Sequence, residues 1–241
     1  MVALTSDLRT EALAAQVAYS PAVNRLGLDG EPVPLLRGRL HEATAVPVAV
    51  IGTLLALGSQ SRLELVAISI FTASIVAMLT ASAAYHCHTH TFEAKLAARR
   101  LDHAMIFVAI GGTQTAYWLI VAPPVLAILA IATVWLVAGF GIHHKLNHLT
   151  LTKTSGSWLY IALGWTGVAL VPFLVTADDL VAFAFVIGGG LIYTMGGLVL
   201  SRRFVDPWPA IFGYHEVWHT MVIVGVLAHG LGIVRLTGIL G

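Results

Sequence analysis

Seven long apolar runs, broken by short polar punctuation, constrain this chain more than anything else in it. They lie at about 43–59, 64–86, 102–121, 124–143, 157–175, 180–200 and 210–234. Crossing the hydrocarbon core of a bilayer takes about 20 mostly apolar residues. Lipid offers no hydrogen-bond partner to the backbone, so runs of this length must close their own bonds as α-helices. The composition agrees. Of 241 residues 58% are hydrophobic and 10% charged, and the mean hydropathy is +0.86, whereas soluble domains carry roughly 25% charged residues. The expected fold is all-α, a polytopic membrane protein built as a seven-transmembrane-helix bundle over 41–241, preceded by an N-terminal tail over 1–40.

The tail carries Asp7, Arg9, Glu11, Arg25, Asp29, Glu31, Arg37 and Arg39 and has no apolar stretch of the kind a signal peptide needs. Its 20–34 portion, rich in Pro, Gly and Asn, reads as a tether, and part of Asp7 to Tyr19 reads as a short interfacial helix. Basic residues orient the bundle. Of thirteen Lys and Arg, only Arg62 and Arg235 fall on the side of the C-terminus; Arg9, Arg25, Arg37, Arg39, Lys95, Arg99, Arg100, Lys145, Lys153, Arg202 and Arg203 fall on the other. Positive charge stays inside. This predicts a cytoplasmic N-terminus and an extracytoplasmic C-terminus in the plasma (inner) membrane. A retinal protein is excluded because Lys95, Lys145 and Lys153 all lie between the apolar runs. The N-in orientation argues against a G-protein-coupled receptor. No basic tract points to nucleic acid, and the single Cys87 excludes a disulfide framework or a cysteine zinc cluster.

Eleven histidines in so apolar a chain need a reason, because ionisable groups in membrane segments are costly and mark function by default. His86 ends the second run, Asp102 opens the third, and His215 and His219 lie in the first turns of the seventh, all predicted at the cytoplasmic side. His215 and His219 are four apart, which puts both rings on one helix face. Two such rings with a third histidine, His86, and one water would complete an open tetrahedral zinc site. Ser82, one turn before His86, is then placed to meet the metal-bound water. Asp102 is placed to orient a ligand ring or to take a proton from that water. His88 and His90 read as solvated, and His143, His144 and His148 as dipole-complementing charges at a helix end. His41 and His229 are assigned no part in the site.

The stretch His215-Glu-Val-Trp-His219 also matches H-E-x-x-H, the metalloprotease signature with Glu as base. A downstream third ligand would have to be His229, ten residues past His219 and about 15 Å further along a helix. The third ligand must therefore come from upstream, and Glu216, about 100° around the helix from His215, reads as a helix N-terminal charge or a packing partner. A polar path formed by Asp102 and Thr113 is disfavoured, since the bilayer middle holds no acidic or basic stepping stone. The glycines at 188–190 and 196–197 read as close-packing positions.

Three ordered motifs resemble a known family: Ser82-Ala-Ala-Tyr85-His86; Leu101-Asp102-His103 with Gly112-Thr-Gln-Thr115; and Gly213-Tyr-His215-Glu-Val-Trp-His219 with His229. Together they resemble the hemolysin III branch of the progestin and adiponectin receptor superfamily, over roughly 37–234. Arg37-Gly-Arg-Leu-His41-Glu42 resembles its bacterial members. The resemblance implies seven helices, a cytoplasmic N-terminus and one zinc ion held by His86, His215 and His219 beside Ser82 and Asp102. It also places the chain in a wider group of membrane hydrolases that includes alkaline ceramidases. Two departures stand out, Gln114 and Ala116 where the family commonly has Tyr and Pro, and they predict a third helix without the usual kink. The expected function is a zinc-dependent hydrolase acting on an amide or ester bond of a membrane lipid, with Asp102 and Ser82 as its catalytic residues. The alternative is a receptor-like or membrane-homeostasis protein in which zinc is structural. Nothing in the sequence resembles a secreted pore-former.

Overall fold

The computed structural model describes residues 26–28, 32–149, 158–176 and 179–239; the expected helix within Asp7 to Tyr19 lies outside them. Among the described residues seven helices are long and apolar enough to cross a membrane: α1 Arg39–Leu57, α2 Arg62–Cys87, α3 Phe92–Val121, α4 Pro124–His148, α5 Trp158–Val175, α6 Leu180–Arg202 and α7 Tyr214–Thr237.

Each helix packs along its neighbour in sequence at α1/α2, α2/α3, α3/α4 and α6/α7, and α7 returns to touch α1, α2 and α3. The centre belongs to α2 and α3, whose most apolar windows are 56% and 61% buried; the corresponding windows of α1 and α5 are only 17% buried. In lipid, apolar surface alone gives no reason for one helix to prefer another, so close packing does the selecting. Ile75, Leu79, Ala116, Tyr117, Leu174, Val222, Val226 and Ile233 fill the shared core. The glycines of α6 divide by face. Gly189 and Gly196 lie against His229 and Trp218 of α7, while Gly188, Gly190 and Gly197 have nothing beside them. The close-packing expectation therefore holds for two of the five.

Two helices depart from the expected outline. α3 begins ten residues early, so Glu93 to Arg100 is helix and not connecting loop. The Thr91 side chain caps it, accepting from the Ala94 N–H at 3.1 Å, and Ala, Leu, Lys and Arg, all strong helix formers, follow. Hydropathy marks where a helix enters lipid rather than where it starts. Asp102 consequently sits in the third turn of α3 instead of opening it. The second departure is in α5, which tightens into a 3-10 turn over Thr166–Leu170. Pro172 explains it: the ring lacks the N–H that Val168 C=O would receive in an α-helix and crowds that carbonyl. Gln114 of α3 supports the break, its amide donating to Leu163 O at 2.6 Å and to Thr166 Oγ1 at 3.0 Å. α3 itself runs unbroken for 30 residues, as Ala116 in place of Pro predicts.

Candidate metal centre

α2 ends at the same end of the bundle where α7 begins, and the centre is built between them. His86 lies in the last turn of α2; His215 and His219 lie in the first turns of α7. The ring centroids are 5.0 Å apart for His86 and His215, 5.2 Å for His86 and His219, and 4.7 Å for His215 and His219. One nitrogen from each ring lies within 4.8 Å of the others. His86 is 6% exposed and His219 2%, and His86 Nε2 and His219 Nδ1 are buried without a hydrogen-bond partner. A buried polar atom left unpaired is costly. Three imidazoles with converging nitrogens suit a borderline ion such as zinc, and a metal there satisfies the unpaired atoms. The donor set fits a metal.

The start of α7 is held by charges that pack beneath it. Gly213 is the N-cap, and its N–H donates to Glu216 Oε2 at 2.8 Å. The Tyr214 N–H donates to Asp206 Oδ1 at 2.9 Å. Both carboxylates complement the positive end of the helix dipole. The other Glu216 oxygen is ion-paired with Arg37 Nε, and the Glu216 side chain is fully buried. The residue that an H-E-x-x-H protease would use as its base is thus committed to structure.

Arg37 arrives from the segment ahead of α1, which crosses the centre. The N–H groups of Leu35 and Leu36 donate to Ala210 O and Ile211 O, both at 3.0 Å. The Cys87 thiol reaches Arg37 O at 3.4 Å. Between them Gly38 takes φ +78°, and a Cβ there would collide with His86 Cβ and lie 2.9 Å from Cys87 Sγ. Only glycine combines that dihedral with that closeness.

Ser82 is 2% exposed, one turn before His86. Asp102 is outside the converging set; its side chain is 14% exposed, with a carboxylate oxygen 3.5 Å from His103 Nδ1. His88 is exposed and pairs with Glu42 at 2.8 Å. His229 lies away from the centre, stacked on Tyr193 with centroids 5.5 Å apart, its carbonyl accepting from Tyr117 OH at 2.8 Å.

Two neighbours were not picked out as site residues from sequence, Arg37 and His41, whereas Glu216 is the helix N-terminal charge and packing partner expected of it. The His41 ring of α1 stacks on His219, with centroids 3.9 Å apart and planes 18° from parallel. The signal available was the Arg37-Gly-Arg-Leu-His41-Glu42 motif, which carries Arg37 and His41 four residues apart.

The family model described as haemolysin-III related matches residues 32–230. The chain is 26% identical over 184 residues to the Hemolysin-3 homolog of Bacillus subtilis (strain 168), covering 76% of this chain and 83% of the relative. It is 24% identical over 181 residues to Hemolysin-3 of Bacillus cereus, covering 75% and 80%. The match runs from ahead of Arg37 to past His219, and the chain belongs to the haemolysin-III related family.

Proposed function

We propose that this protein is a zinc-dependent hydrolase acting on an amide or ester bond of a membrane lipid, with its metal at the cytoplasmic face. The observation that carries the proposal is the convergence of His86, His215 and His219 within 4.8 Å, two of them with unpaired buried nitrogens. Three protein ligands leave a coordination position open, the pattern of catalytic rather than structural zinc. Zinc held there supplies a Lewis acid and makes water a nucleophile near neutral pH.

The chain's own groups would do the rest. Asp102 accepts the proton from the attacking water and returns it to the departing nitrogen or oxygen. The Ser82 hydroxyl donates to the carbonyl oxygen as negative charge develops on it. The products are a carboxylic acid and an amine or alcohol. Residues 1–40 form the cytoplasmic tail, residues 41–241 the membrane domain, and the plasma (inner) membrane supplies both environment and substrate. The bias of basic residues supports that orientation.

Metal analysis of purified wild type beside His215→Ala is the first test. One zinc per chain, lost in the variant, is expected; equal zinc in both removes the site. Turnover is tested with zinc-loaded protein on ceramide and other acylated lipids. If none is cleaved, and if Asp102→Ala leaves cellular lipid levels unchanged, the hydrolase reading is lost. What remains is a non-enzymatic protein whose zinc clamps helices, a reading the burial of His86 and His219 also favours.

A further inference from the structure

α1 turns most of its surface outward. Its buried residues are His41, Gly52 and Ala56, so a single polar side chain is carried inward by an otherwise apolar contact. His41 is 2% exposed; its ring nitrogens are buried and meet no partner in good hydrogen-bond geometry, the His219 backbone being the polar group that acts on the ring. A leucine or phenylalanine would fill the same space at no such cost. The unpaired nitrogens therefore point to a partner that binds.

That partner is not the metal. A metal lies in the plane of an imidazole ring, along a nitrogen lone pair, at about 2 Å. Rings 3.9 Å apart and only 18° from parallel hold their lone pairs in separate planes that do not meet at one ion. His41 is correspondingly absent from the set whose nitrogens converge. The ring stands one layer away from His219, next to the centre but outside the plane in which that ligand would hold an ion. The carboxylate of Asp102, on α3, lies within electrostatic reach of the same ring.

We propose that His41 is a ligand-contacting residue of this centre, its imidazole hydrogen-bonding the oxygen ligand held in the open coordination position. The inference rests on the metal reading above. It gives α1 a place in recognition, and it makes the site a four-helix construction in which α2 and α7 hold the ion while α1 and α3 hold what binds to it.

The test uses full-length cobalt-substituted protein in detergent, with acetohydroxamate as probe, read by the cobalt absorption bands. His41→Phe keeps the stack and removes the nitrogens; His41→Gln restores a polar end. His41→Phe is expected to keep one metal per chain. Its acetohydroxamate dissociation constant should rise about tenfold, the worth of one hydrogen bond, with part of the loss recovered by His41→Gln. Loss of metal in His41→Phe would make His41 a ligand and overturn the proposal. Unchanged acetohydroxamate affinity would reduce the ring to a packing element and overturn it equally. A wild type that takes up neither cobalt nor zinc removes the underlying metal reading, and this is seen before any variant is compared.

Discussion

Arg37 and Glu216, 179 positions apart in the chain, form an ion pair in which the acid is fully buried and the base 13% exposed. The pair joins the segment entering α1 to the first turn of α7, the turn that carries His215 and leads to His219. Removing one partner of a buried pair leaves the other charge stranded, at about 3–5 kcal/mol. Arg37→Ala should therefore lower the thermal midpoint in detergent sharply. Arg37→Met with Glu216→Gln should recover much of that loss, because no charge is left alone. A single variant as stable as wild type would show that water reaches the pair.

Metal should act as a ligand of the folded state. Zinc at 1,000 times its dissociation constant adds about 4 kcal/mol to stability. Chelator treatment of wild type is expected to reduce the unfolding midpoint and zinc to restore it. His86→Ala, His215→Ala and His219→Ala should each abolish the response, whereas His88→Ala and His229→Ala keep it. An equal zinc response in His86→Ala would move the site away from the three converging rings.

Much of this was legible in the sequence, for identifiable reasons. The limits of α2 and α6 fall within two residues of the expected ones because an apolar run bounded by polar residues is the signal that a span sends. The first ten residues of α3 escaped because they are helical and charged, and hydropathy reports lipid rather than helix. The break in α5 was hidden inside an apolar run, although Pro172 was there to announce it. His86, His215 and His219 were reached from four-residue spacing and shared depth. His41 escaped because a ring stacked across two helices leaves no periodicity, and the Arg37 partner of Glu216 escaped because pairing across 179 positions leaves no local trace.

Orientation is open to direct measurement. In a Cys87→Ser background, a cysteine replacing Gln60 between α1 and α2 should react with an impermeant maleimide added to intact cells. A cysteine replacing Arg203 after α6 should react only once the membrane is opened. The reverse pattern would invert the bundle and put the centre on the outer face.

Gln114 should matter for α5 more than for α3. Its amide donates to Leu163 O and Thr166 Oγ1 at the point where α5 leaves α-helical geometry. Gln114→Ala removes both of those bonds from the interior, a loss of about 1–3 kcal/mol, although Leu163 O keeps the hydroxyl of Thr166 as a donor at 2.6 Å. Gln114→Glu, which keeps the shape but loses the donor, should be at least as damaging. Zinc content in Gln114→Ala should stay at the wild-type level, since none of the three ligands sits on α3 or α5.

Gly38 couples fold to metal most directly. Its φ of +78° costs a residue with a Cβ about 1–3 kcal/mol, and here the Cβ would also strike His86 and Cys87. Relief requires either the segment to lift, which strains the Arg37–Glu216 pair, or the end of α2 to move, which shifts His86. Either way one ligand loses its register with the other two. Gly38→Ala should therefore lose both stability and zinc affinity, while Gly58→Ala at the far end of α1, where the nearest atom is 3.5 Å away, should leave zinc affinity unchanged. Competition with a zinc-binding dye on the two variants reads the difference. Equal affinity in both would mean that the crossing segment yields without disturbing His86.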